Sequence, residues 1–247
     1  MDPLTQAFEE RLQEIDAYLD LLGALERQVQ EGPPTVGGAP ITAQQQKILY
    51  SSVYLQVYNL VEATATWCVS AVSTASAHGG RWTPGDLSGE LRREWTRTTA
   101  RTHTELNADN RLKTAVEFCD RLIEGLPISE WLIEKGGGGN WDDLEIEAIT
   151  DRLGLMLRIT PSVRTGVKRP IREDRGALGL VKLLRNRLAH GSLSFAECGD
   201  GVTVSGLRDI RDRAADYLRE IIKAFRDYID GYHFLIPARQ PSRVVSP

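Results

Sequence analysis

The stretch from Ala43 to Ala77 limits the possible folds more than any other part of the chain. Thr42 and Gln45 have the spacing of a capping box, which opens a helix, and His78-Gly79-Gly80 closes it. Between them Ile48, Leu49, Val53, Val57, Leu60, Val61, Val69 and Val72 fall on most faces of the helix. A helix that is apolar nearly all round has to be enclosed, at the centre of a bundle or in an interface. A chain organised around such a helix is expected to be all-α.

The flanking pattern agrees. Asp2 is a candidate cap with Pro3 at the first helical position. Leu4, Phe8, Leu12, Ile15, Leu19, Leu22 and Val29 then make one apolar stripe, so residues 1–32 read as an amphipathic N-terminal helix. Residues 31–40 form a loop, and the main helical domain spans 41–235. Within it, 81–110 reads as a connector with helical pieces. Arg111 to Glu124 reads as an amphipathic helix through Leu112, Val116, Phe118 and Leu122, and Asp142 to Leu153 as a short helix. Gly136 to Gly139 is a flexible loop rather than a phosphate cradle, because no strand precedes it and no Gly-Lys-Ser/Thr follows. A basic loop is expected over 161–170. A helix then starts near Glu173 and turns Leu178, Val181, Leu184 and Leu188 to the core, with Gly191 in the left-handed position that ends it. A small β-hairpin is expected to pair 193–195 with 202–204 across Gly199-Asp200-Gly201. A last helix covers about 207–232, and 236–247 is expected to be a disordered tail.

The formal charge of −4 over 247 residues is unevenly placed. From Arg158 to His190 there are nine basic residues against Glu173 and Asp174, a net +7, which leaves −11 elsewhere. A polyanion would be drawn to that one segment, and Arg172, Arg175, Lys182 and Arg187 are its candidate substrate-binding residues. Cys68, Cys119 and Cys198 are odd in number and widely spaced, so they read as reduced thiols rather than a disulfide framework or zinc site. With no 18-residue apolar run and no signal-like N-terminus, a cytoplasmic location off the membrane is expected. His78, His103 and His233 have no ligand-spaced neighbours and read as structural; no metal or cofactor set is recognised.

The basic segment runs into Arg185-Asn186-Arg187-Leu188-Ala189-His190-Gly191. A guanidinium holds phosphate through paired charge-assisted hydrogen bonds, and an imidazole exchanges protons near neutral pH. Those two functions suffice for attack of a ribose 2′-OH on the adjacent phosphate. On an ideal helix Asn186 sits one turn beneath His190, whereas Arg185 points about 140° away. Asn186 is therefore expected to orient His190, with Arg185 reaching round or a second protomer completing the site. Asn59 and Glu62 share a face of the early helix. Glu62 needs solvent or a cation, and two readings stay open: a structural ion pair with some arginine, or a pair with Arg185 itself.

The segment resembles the HEPN superfamily, whose ribonucleases share an Arg-polar-x₃-His motif matched here by Arg185, Asn186 and His190. It is similar in particular to a larger HEPN branch of bacterial conflict systems, through Tyr58-Asn59-Leu60-Val61-Glu62, Gly139-Asn140-Trp141-Asp142, and His190 to Gly199. The resemblance implies an α-helical HEPN-like fold and a homodimer with both motifs facing one cleft. It also implies metal-independent RNA cleavage by Arg185 and His190, supported by Asn186, with Glu62 and Asn59 as possible support. A toxin or anti-phage effector of this kind would be held silent by an antitoxin or sensor protein from another chain. The alternatives are a non-catalytic module that binds RNA, a nucleotide or a partner through the same cleft, and a purely helical scaffold.

Overall fold

The structure is a computed structural model that describes residues 3–29, 32–101, 105–135 and 140–241. Among these are nine α-helices: α1 (Pro3–Gln28), α2 (Ala43–Ala77), α3 (Gly89–Thr99), α4 (Ala108–Ile123), α5 (Asp143–Arg152), α6 (Pro161–Lys168), α7 (Ala177–Ala189), α8 (Phe195–Cys198) and α9 (Val204–Asp230). One two-stranded antiparallel ribbon, β1 (Thr35–Val36) with β2 (Ala39–Pro40), joins α1 to α2. The fold is all-α, as the patterning predicts. No helix among the described residues is long and apolar enough to cross a membrane. The expected Asp2 cap, His103, the Gly136 to Gly139 loop and the end of the tail from 242 lie outside the described residues.

The chain divides into two compact units. Unit 1 takes residues 1–65, 140–143 and 159–221; unit 2 takes 66–139, 144–158 and 222–247. In unit 1, α1 buries Phe8, Leu12, Ile15, Leu19 and Leu22, each worth ~2 kcal/mol relative to exposure. Its flank pairs Glu9 with Arg219, Asp16 with Arg211 and Asp20 with Arg208. Residue numbers rise along α1 as they fall along α9, so the two helices run antiparallel in fixed register. The capping box at the start of α2 is present in both directions: Thr42 N donates to Gln45 Oε1 (2.8 Å) and Gln45 N to Thr42 Oγ1 (3.2 Å).

Unit 2 is built around Leu87, Leu91, Trp95, Ile146, Ile149, Leu153 and Phe234, all buried. It also buries charge. Arg152 Nε donates to Glu94 Oε1 at 3.2 Å and its Nη2 to Oε2, while Nη2 also reaches Glu134 O at 3.0 Å. Asp86 accepts from Thr83 N and Oγ1, both at 2.8 Å, and pairs with Arg239. Burial raises the Asp86 pKa, but the Thr83 hydrogen bonds and the Arg239 charge outweigh it, so the carboxyl sits below its ordinary value.

Four local expectations are corrected. The 161–170 segment is not a loop but α6, because Pro161 takes the first helical position and Glu220 accepts from both Thr160 N (2.7 Å) and Oγ1 (2.8 Å). No hairpin follows α7: Ser194 and Glu197 form a reciprocal capping box that turns the strand candidate into α8. The helix after the basic segment starts at Ala177, not Glu173, since Glu173 and Asp174 adopt positive φ in the preceding turn. Residues 237–239 of the presumed tail form a 3₁₀ turn, held by the Arg239–Asp86 pair and by Gln240 donating to Leu235 O at 3.1 Å.

Candidate active site

Helix α7 is set in place at both ends by glycine. A Cβ at Gly176 would lie 2.2 Å from Val167 O, so only glycine lets α7 start against the end of α6. At the other end Gly191 has φ 68°, Gly191 N donates to Leu188 O (3.2 Å) and Ser192 N to Arg187 O (3.0 Å). This is a Schellman closure, with His190 as the capping residue. Leu178, Val181, Leu184 and Leu188 are buried as expected, which fixes the rotation of the helix and hence where its polar residues point.

Arg185 is the best-held of them. Its guanidinium lies 4.4 Å over the ring of Tyr58, a contact worth ~1 kcal/mol or more when shielded from water. Nη1 donates to Asn186 Oδ1 at 2.9 Å and to Asn140 Oδ1 at 3.3 Å, and Nη2 stands 3.8 Å from Glu62 Oε2. The side chain remains 32% exposed, so part of the fork still faces solvent. Tyr58 itself is fully buried and is fixed by its hydroxyl, which donates to Asn140 Oδ1 (3.5 Å) and accepts from Trp141 N (3.4 Å). Burial is the main reason its pKa is raised; the Glu62 charge adds to this, and the Trp141 hydrogen bond and the charges of Arg185 and Lys182 oppose it. The phenol is therefore a neutral platform across the working pH range.

The cluster bears on two sequence questions. Glu62 has Arg185 as its cation, the second of the two open readings. Asn186 Oδ1 accepts from Arg185, and no hydrogen bond joins its side chain to His190 among the described residues. Adjacent side chains diverge on a helix, but the long arginine curls back, which ideal helix geometry does not show. His190 is exposed, and its imidazole makes no hydrogen bond or ion pair among the described residues. Asn59 is exposed and does not join the cluster.

The four substrate-binding candidates fare differently. Lys182 is paired with buried Asp142 at 2.8 Å and Arg187 with Glu173 at 2.8 Å. Arg172 lies 5.8 Å over the Tyr54 ring and donates to Cys198 O at 3.4 Å. Burial pushes the Tyr54 phenol up to about 12, with the Arg172 charge opposing. Only Arg175 among the four is exposed. With Lys168 and Arg169 also facing Asp143 and Asp209, much of the +7 counted along the sequence is neutralised by carboxylates close in space.

Tyr58 and Asn140 are the members of the Arg185 cluster that reasoning on charge and spacing missed. Their signal lay in the two short segments that resemble the HEPN branch, each of which contributes one contact to Arg185. Chemically, the assembly presents a preorganised guanidinium near a carboxylate, with an exposed imidazole at the end of the same helix. Among the described residues no group of three or more His, Cys, Asp or Glu side chains is placed to hold a metal ion.

No match is found among curated proteins or solved structures. The family model described as HEPN_MAE_28990-like HEPN matches residues 1–234, nearly the whole chain. That span includes α1, the Arg185 cluster and all of α9, so the chain belongs to the HEPN_MAE_28990-like HEPN family.

Proposed function

We propose that this protein is an endoribonuclease that cuts RNA through its own 2′-OH without using a metal. The observation that carries this reading is the Arg185 guanidinium, pinned by Tyr58, Asn140 and Asn186 yet a third exposed, on the helix that ends at exposed His190. In the reaction the 2′-oxygen attacks the adjacent phosphorus and the bond to the 5′-oxygen breaks. The products are a 2′,3′-cyclic phosphate and a 5′-OH. Arg185 faces the equatorial oxygens whose charge grows in the transition state. One proton leaves the 2′-OH and one reaches the 5′-oxygen, and His190 handles one of these transfers.

A single chain offers one such imidazole, and it forms no hydrogen bond with the Arg185 cluster among the described residues. A two-fold dimer that brings two motifs to one cleft would supply both transfers. Such an activity needs restraint in the cell, and a separate antitoxin or sensor protein that covers the cleft would provide it.

The second reading is a non-catalytic module that binds RNA or a partner through the same cleft. What favours it is the carboxylate of Glu62, 3.8 Å from Arg185, which competes with an incoming phosphate. The test is incubation of total RNA with wild-type, His190→Ala and Arg185→Ala proteins, each with and without EDTA. The expected outcome is cleavage insensitive to chelator and lowered about 10²–10⁴-fold by His190→Ala, with Arg185→Ala lowering turnover more than binding. Cleavage abolished by EDTA, or unchanged in His190→Ala, would remove the assignment. RNA binding without any cleavage would move the second reading ahead.

A further inference from the structure

An exposed cation without a carboxylate partner takes up phosphate without first breaking an ion pair. The 158–190 segment has fewer of these than its sequence charge suggests, since Lys168, Arg169, Lys182 and Arg187 all face carboxylates. Helix α3 in unit 2 is arranged the other way. Gly89, Arg92, Arg93, Thr96 and Arg97 recur at i, i+3, i+4, i+7 and i+8, which places them on one face. They line a shallow cleft, largely open to solvent, of about 480 Å³.

Among the described residues neither carboxylate of α3 pairs with Arg92 or Arg93. Glu94 is buried and bonded to Arg152. The side chain of Glu90 lies over Gly154, whose backbone comes so close that a Cβ there would be 2.9 Å from Glu90 Cγ. Arg92 gives an N–H to a neutral acceptor, Leu87 O, at 3.0 Å. Arg93 is exposed and has no ion pair among the described residues. Arg97 stands 3.6 Å from Glu94 and is partly neutralised. Thr96 sets a hydroxyl between the arginines, and Gly89 leaves the start of the helix uncovered, with nothing within 4 Å of an added Cβ.

We propose that this face of α3 binds the phosphodiester backbone of single-stranded RNA. The choice of RNA rests on the reading of the preceding subsection, whereas the geometry itself asks for a run of phosphates. From Gly89 to Arg97 the face extends ~12 Å along the helix axis, longer than one phosphate and suited to successive ones. Arginine forks and a threonine hydroxyl are backbone contacts, which position a strand without reading its sequence.

The test uses the full chain and a single-stranded RNA oligonucleotide carrying 2′-O-methyl groups, which blocks attack by the 2′-oxygen. Binding is followed by fluorescence anisotropy over a salt series. Each phosphate contact on a single strand contributes ~0.7 to the slope of log affinity against log salt. Arg92→Gln/Arg93→Gln is expected to lower that slope by about 1.4 and affinity about tenfold at low salt, while Arg93→Gln alone, which leaves the Arg92 hydrogen bond to Leu87 O in place, lowers it by about 0.7 with an unchanged melting temperature. Wild-type slope and affinity in the double variant, or no oligonucleotide binding by wild type, would overturn the proposal. If the double variant lost tripolyphosphate but kept the oligonucleotide, the cleft would hold a free polyphosphate, and the RNA assignment would fall. The two readings fail separately. Wild type that binds the oligonucleotide but cuts no unmodified RNA defeats the nuclease alone. Wild type that cuts RNA while the double variant binds normally defeats the α3 site alone.

Discussion

Helix α1 of unit 1 buries Phe8, Leu12, Ile15, Leu19 and Leu22, whereas helix α4 of unit 2, with apolar residues at similar spacing, buries none of its residues. On α4 the half-buried positions are Thr114, Phe118 and Arg121, and Phe118 meets Trp95 with ring centroids 5.5 Å apart. Leu112, Val116 and Ile123 lie about 180° round the helix from them and are 65%, 50% and 81% exposed. Spacing shows that a helix has an apolar stripe; it does not show what the stripe meets. Along α1 the apolar seam is buried and the ionic flank matches α9. In unit 2 the apolar core is supplemented by buried carboxylates, Glu94 and Asp86, each satisfied by specific donors.

The contrast breaks most readily at Leu19. Leu19→Ala leaves a hole in a fully buried seam and is expected to cost about 3 kcal/mol. Val116→Ala on α4 should stay within about 0.5 kcal/mol. Urea unfolding of the two variants measures both, and a comparable loss in each would mean that α4 is as well covered as α1.

A smaller effect is expected in unit 2. Arg152→Ala leaves Glu94 buried at 3% exposure, with Arg97 as its remaining cation among the described residues. A fully buried pair broken in this way costs 3–5 kcal/mol, and because Arg152 is itself a quarter exposed, about 2 kcal/mol is expected. Arg152→Ala/Glu94→Gln should recover part of that loss in thermal melts. No recovery would show that packing of the arginine stem, rather than the orphaned charge, causes it.

The smallest effect concerns acid. Because the folded Asp86 carboxyl is held below its ordinary value of 3.8, its contribution is fully present above that pH. It is lost as pH falls through the folded value. Asp86→Asn should therefore lower stability by about 1 kcal/mol at neutral pH and flatten the acid limb below about pH 4. Identical pH profiles for variant and wild type would remove Asp86 as a source of acid sensitivity.

Much of this architecture was legible because helix signals are local. The Thr42/Gln45 box, the α1 stripe and Gly191 each act within a turn or two, and each is found where the sequence places it. The misplaced hairpin had a local signal as well: Ser194-Phe195-Ala196-Glu197 is a capping box, overlooked in favour of the glycines that follow. Pro161 likewise marks a helix start inside a segment read as a loop. At the site, Arg185, Asn186 and Glu62 could be named in advance, but Tyr58 and Asn140 could not be assigned to Arg185 by spacing. They are separated from it by 127 and 45 residues.

By itself, then, the sequence determined an all-α chain, the course of its longer helices and the rotation of α7, since periodic burial and end-capping are written within a few residues. Tertiary structure alone decided which charges remain available. A carboxylate distant in sequence neutralises a cation as well as an adjacent one does, because Coulomb interaction depends on separation in space. Asp142 thus quiets Lys182 and Asp209 faces Arg169, while α3 keeps Arg92 and Arg93 open because Glu94 turns inward to Arg152 and Glu90 lies over Gly154.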